Sequence, residues 1–294
     1  MSFVRSASTQ TMAAAASPLE QKLSQILERR RGESRLRSLK ASPPNSVDFS
    51  SNDFLSLANS SILKDTYLRE LQSHDFKLGS TGSRLLDGNS NYAEKLESDI
   101  ASFHGGEAGL LTNSGFDANV SIFACIPQPG DIIVYDELIH ASVHDGMRQS
   151  RATKTVSFSH NSVKDLRRQL SRCLNDIKTS ERPTANVFVA VESVYSMEGD
   201  VAPLREIVET VEELFPNQNA HIVVDEAHSN GVYGPQGKGL VCELGLEERI
   251  FIRLHTFGKA LACTGCESLY LGCNRTMLTR LQQSSSPRER SDLI

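Results

Sequence analysis

Two periodicities alternate along most of this chain. Short, almost wholly apolar runs recur at 107–112 (EAGLLT), 131–135 (DIIVY), 186–192 (NVFVAVE), 221–225 (HIVVD), 250–254 (IFIRL) and 268–273. Between them, residues 92–104, 116–126, 162–178 and 203–215 repeat apolar side chains three and four apart, as helices burying one face do. Strands that are apolar throughout, rather than on alternate residues, are buried on both faces. The pattern therefore predicts an α/β fold: a mostly parallel sheet covered by helices. Residues 18–40 are charged with Leu at helical spacing and predict an amphipathic surface helix, ended by Pro43-Pro44. The expected organisation is a disordered or weakly targeting segment at 1–17 and a helical segment at 18–48. A large domain follows at 49–281, and then a polar, disordered tail at 282–294.

Composition narrows the function classes. With 294 residues, 39% hydrophobic and 23% charged, the chain has the make-up of a globular protein. Its net charge of -5 supplies no basic field for nucleic acid or an anionic membrane. No run approaches the roughly 18 apolar residues of a membrane helix. Neither nucleic acid nor a membrane is expected as a partner, and the expected location is the cytoplasm. The Ser/Ala/Thr-rich first sixteen residues, acid-free and with Arg5, are a weak organellar signal. Of six cysteines only Cys263 and Cys266 are spaced like a metal or redox pair. No second pair completes them, so no metal is expected.

In a parallel sheet, ligands bind beyond the carboxyl ends of the strands, so chemistry is sought there. HIVVDEAHSNGVYG delivers Asp225 to such an end, with His228 three positions on. A carboxylate there needs a donor or a cation. A protonated pyridine nitrogen would serve, and so would magnesium or a helix N-terminus. Thirty-four residues later, HTFGKALACTG sets Lys259 among small and apolar neighbours, where an inward, desolvated amine can form a Schiff base with an aldehyde. NSGFDAN places Ser114, Gly115 and Phe116 where a strand turns into a helix, a geometry suited to an anion. Neither phosphate-binding glycine motif is present: Gly237-Lys238 runs into Gly239, and no G-x-G-x-x-G follows the first strand. His140 in DELIHAS, taken alone, is a core or capping histidine; beside Asp225 and Lys259 it suits the face of a planar cofactor. Ser196 in ESVYSMEGD is a candidate donor to that cofactor or to substrate.

Seven blocks in order resemble the α-oxoamine synthases, a family of fold-type-I pyridoxal-phosphate (PLP) enzymes, from about Ser50 to about Asn274. They are SSNDFLSL, GSTGSRLLDGNSNYAEKLESDIASFHG, NSGFDAN, DELIHAS, ESVYSMEGDVAPL, DEAHSNGVYGPQGKG and TFGKALACTG. The resemblance implies PLP held as a Schiff base on Lys259, and Asp225 on the pyridine nitrogen. It implies His228 near the phenolate oxygen and His140 on the ring. Ser114, Gly115, Phe116, Ser196 and Thr256 would contact the cofactor, and Asn52 the substrate. Lys259, His140 and His228 would act in catalysis, with an imidazolium polarising the ketone. GSTGSRLLDGNS is most similar to the branch that condenses L-alanine with pimeloyl-CoA, losing CoA and carbon dioxide. Other branches use glycine or serine. Amino acid and acyl-CoA are thus the implied substrates, and a homodimer the implied assembly.

The resemblance stops before the family's small C-terminal domain, which carries an arginine for the substrate carboxylate. QQSSSPRERSDLI stands there instead, and Arg288 and Arg290 have no matching context. Two expectations follow: a PLP-dependent acyltransferase lacking its small domain, or a catalytically silent remnant that binds PLP or a partner.

Overall fold

A computed structural model describes residues 16–39, 41, 43, 45–73, 79–179 and 185–271. Residues 1–15 of the expected N-terminal segment, and the whole expected tail at 282–294 with Arg288 and Arg290, lie outside the described residues. The chain divides into two compact units, 1–50 and 51–294.

In the first unit, α1 (Pro18–Gly32) starts at a capping box. Glu20 N donates to Ser17 Oγ at 3.2 Å, and Ser17 N donates to Glu20 Oε2 at 2.6 Å. The helix stops at Gly32, short of Pro43, and buries none of its residues.

The second unit contains α2 (Ser61–Ser73), α3 (Asn91–Phe103), β1 (Ala108–Thr112), α4 (Gly115–Cys125), β2 (Ile132–Asp136) and α5 (Ala141–Gln149). It continues with β3 (Lys154–Phe158), α6 (Val163–Thr179), β4 (Val187–Glu192), α7 (Leu204–Leu214), β5 (Ala220–Asp225), α8 (Leu240–Glu243), β6 (Ile252–Thr256) and β7 (Cys266–Tyr270). The seven strands form one sheet in the order β1-β7-β6-β5-β4-β2-β3. Only β7 runs against its neighbours; the other pairings are parallel. The doubly covered, mostly parallel sheet expected from the sequence is therefore present.

Side-chain alternation along β4 shows how the layers are made. Val187, Val189 and Val191 point into one core with Leu166 and Leu170 of α6 and Ile207 and Val211 of α7. Phe188 and Ala190 point into the other, with Ala118, Ile122 and Phe123 of α4 and Val143 of α5. Each fully buried side chain of Leu or Val size contributes about 1.5–3 kcal/mol. Helices α4 and α5 pack closely at Gly146. A Cβ there would press on Phe123 Cβ at 2.9 Å and on the carbonyls of Val120 and Asn119 at 3.0 and 3.1 Å. This explains a glycine inside a helix, where it otherwise costs about 1 kcal/mol.

Candidate active site

The parallel strands aim their last residues at one edge of the sheet. Glu192 ends β4, Asp225 ends β5 and Thr256 ends β6, and Glu192 and Asp225 are register partners. Lys259 lies three residues past β6 in a turn closed by Ala262 N to Lys259 O (2.9 Å) and Cys263 N to Phe257 O (2.9 Å). Its Nζ sits 2.7 Å from His228 Nε2. Burial lowers the lysine below its ordinary value, against the opposing charges of Asp225 and Glu192. Burial, and then the lysine's charge, lower His228 to about 4. The imidazole is therefore neutral at pH 7, with its Nε2 within hydrogen-bonding distance of the lysine nitrogen.

Asp225 is buried and accepts from Asn119 Nδ2 at 2.8 Å and from Ala227 N at 2.9 Å. Glu192 is 3% exposed, and its Oε1 is buried without a partner. Desolvation, and then the charge of Asp225, push Glu192 up to about 8. Of the two carboxylates side by side at this dry edge, Glu192 keeps its proton at neutral pH.

His140 is the N-cap of α5: Ser142 N donates to its Nδ1 at 3.2 Å, with Ser142 Oγ 2.7 Å from the same nitrogen. An accepting Nδ1 leaves Nε2 as the protonated nitrogen of the neutral ring. Phe116 meets His140 edge-on, ring centroids 6.1 Å apart. Ser114 caps α4, its hydroxyl accepting from Asp117 N at 3.1 Å and donating to Asp117 Oδ2 at 2.9 Å. Gly115 is pressed so close to Thr256 that a Cβ would collide with the threonine hydroxyl. The free amides at the start of α4 and the Thr256 hydroxyl thereby converge. Ser196 stands exposed in the turn after β4. Asn52 is exposed as well; its near neighbour Phe54 brings that segment to His228, with ring centroids 6.1 Å apart.

Two residues of this edge escape a reading of the sequence alone. Asn119 lies one helical turn after Gly115, where an amide among Asp117, Ser121 and apolar residues carries no signal of its own. Glu192 occupies the same strand-end position that singles out Asp225, but closes a run read only for its apolar residues. A separate, mainly apolar cavity of about 770 Å³ contains none of the sequence-predicted residues. It touches the site only through their chain neighbours Asn113 and Phe257. Among the described residues no group of three His, Cys, Asp or Glu converges as a metal site.

The family model described as aminotransferase class I and II matches residues 44–288. The chain belongs to that family. Within that family the chain groups with the α-oxoamine synthases. The 8-amino-7-oxononanoate synthase of Emericella nidulans is 53% identical over 270 residues, covering 90% of this chain and 65% of that protein. Aminoacyl transferase sphA of Byssochlamys spectabilis is 48% identical over 229 residues, covering 78% and 48%. Among solved structures, serine palmitoyltransferase of Sphingomonas wittichii superposes with a TM-score of 0.73 at 27% identity, covering 91% of this chain and 67% of that one. The chain thus spans about half to two thirds of the length of these class I and II relatives.

Proposed function

We propose that this chain holds PLP covalently through Lys259 and contributes the cofactor domain of an enzyme that condenses L-alanine with pimeloyl-CoA. The products would be 8-amino-7-oxononanoate, CoA and carbon dioxide, a step of biotin assembly. The observation carrying the reading is the desolvated Lys259 amine, 2.7 Å from His228 and facing the buried carboxylate of Asp225.

The residues present fit the cofactor. Asp225, already anchored by Asn119, offers a fixed negative charge to a pyridine nitrogen. The amides opening α4, with Thr256 against Gly115, offer donors to a phosphate. When bound, PLP supplies a protonated conjugated ring that takes up an electron pair from the amino acid's α-carbon. Lys259, when its amine is free, would accept the α-proton. His228 receives the lysine's hydrogen bond and holds the amine in place. His140, fixed by its cap to Ser142, would cover the ring, and Ser196 and Asn52 would serve cofactor and substrate.

A second amino acid in place of alanine draws support from the likeness to an aminoacyl transferase and a serine palmitoyltransferase. A second copy of the chain is the expected protein partner. Phe54, Phe116 and Met197, 50%, 44% and 83% exposed, stand on the segments bordering the site, where another surface would cover them.

Borohydride reduction of the chain mixed with PLP, followed by peptide mapping, should place the pyridoxyl group on Lys259. Labelling at Lys238, or none, would overturn the assignment. CoA release from pimeloyl-CoA, compared across alanine, glycine and serine, then ranks the amino acids.

A further inference from the structure

His160 stands two residues past β3 with a carboxylate oxygen 2.9 Å from each ring nitrogen: Asp136 Oδ1 at Nδ1 and Asp200 Oδ2 at Nε2. Both carboxylates already have other donors. Asp136, fully buried, accepts from Leu138 N at 2.9 Å and Asn161 N at 2.8 Å. Asp200 Oδ2 also accepts from Asn161 Nδ2 at 2.9 Å. Asn161 Nδ2 also lies 3.3 Å from Nε2, but it donates to Asp200 at the shorter 2.9 Å, so each ring nitrogen faces a carboxylate acceptor and both donate. Only imidazolium donates from both. A neutral ring would turn a lone pair toward a carboxylate at hydrogen-bonding distance.

Among the described residues, the remaining groups around the ring supply no competing cation. Glu137 accepts from His160 N at 2.8 Å, and Asp165, paired with Arg168, accepts from Ser159 N at 2.9 Å. Tyr195 packs edge-on against the imidazole, centroids 4.5 Å apart.

What the bridge connects gives it meaning. Asp136 ends β2 four residues before His140, and its bond to Leu138 shapes the turn into α5. Asp200 closes the turn that carries Ser196. Tyr195 N donates to Asp200 O at 3.0 Å, Gly199 N donates to Tyr195 O at 2.8 Å, and Val194 bridges to Val201. We propose that His160, as an imidazolium, is a positioning residue that fastens the Ser196 turn to the turn bearing His140, and that losing its proton loosens the Ser196 turn. The link to cofactor geometry rests on the function proposed above; the clamp itself does not.

Burial pulls the imidazolium down, but the bonds to Asp136 and Asp200 outweigh it and hold His160 above its ordinary value. The folded state therefore binds this proton more tightly than the unfolded chain. The clamp is closed below the raised value and opens as pH rises through it.

Nitrogen NMR of the histidine rings, together with amide exchange corrected for its intrinsic pH dependence, tests this on the whole chain without cofactor. Both His160 nitrogens should carry protons at neutral pH. Protection of the Tyr195 and Gly199 amides should fall by about tenfold or more as the ring titrates, while β4 amides stay unchanged. Asp200→Asn, at an exposed edge, should leave those two amides poorly protected and insensitive to pH; His160→Gln should do the same. A singly protonated His160 at neutral pH, or pH-independent protection in the unmodified chain, would overturn the clamp. Failure of Lys259 labelling with these signatures intact would strike the proposed cofactor role alone.

Discussion

The two ends of β4 and β5 obey different rules. Toward their middles, Val189, Val191, Ile222 and Val224 meet α6 and α7 in a core of apolar side chains. At their carboxyl ends, Glu192 and Asp225 lie side by side, almost equally buried, with a lysine and a histidine opposite. The first region gains stability from every contact. The second keeps two acids in a dry place, one neutralised by burial and by the other's charge, an arrangement that packing alone would not favour. A fold tolerates such an edge because the rest of the sheet is ordinary.

The contrast is broken most strongly from the core side. Leu170→Ala deletes a fully buried side chain of α6 and should lower unfolding stability by about 2–5 kcal/mol, measured by denaturant titration. Lys259 labelling in the protein that remains folded should be unaffected. Loss of labelling in step with the site, at unchanged stability, would mean that the two regions are not separable.

Asp225→Asn attacks the other side. The amide fills the same space but removes the charge, so affinity for PLP should fall by about tenfold to a hundredfold, read from cofactor absorbance across a titration. Thermal unfolding without cofactor should change less than for Leu170→Ala. A collapsed fold would make Asp225 a structural residue.

The finest distinction is a pH slope. The folded Glu192 binds its proton up to about pH 8, whereas an unfolded glutamate releases it near its ordinary value of 4.5. Between those values the native state holds the extra proton, so Glu192 makes stability decline as pH rises. Glu192→Gln should flatten that decline, as seen in denaturant midpoints collected across the window. An unchanged slope would show that Glu192 is ionised in the fold.

The parts of the molecule that were legible in the sequence share a cause. Strands such as 187–192 and 220–225 are buried on both faces, so their apolar runs are uninterrupted and their strand-end acid stands out. β3 went unread because it is an edge strand in which only Phe158 is buried, leaving KTVSF without a pattern. α5 is not legible because ASVHDGMRQ contains a glycine, whose reason is contact with α4, and a histidine, His144, whose reason is its edge-on contact with Tyr135. The same logic divides the site. Asp225 and Lys259 announce themselves through their flanks, whereas Asn119 and the His160 bridge arise only when distant segments meet.

The tight seating of Gly146 against Phe123 has a mechanical consequence. α4 begins with the Gly115–Phe116 turn and α5 begins with His140, so the phosphate end and the ring face of the proposed cradle belong to two rods locked at a common point. Neither rod can slide without dragging the other. A change that tilts α4 would reach His140 as a rotation of its whole helix, so the cradle is set to shift as one body rather than flex residue by residue.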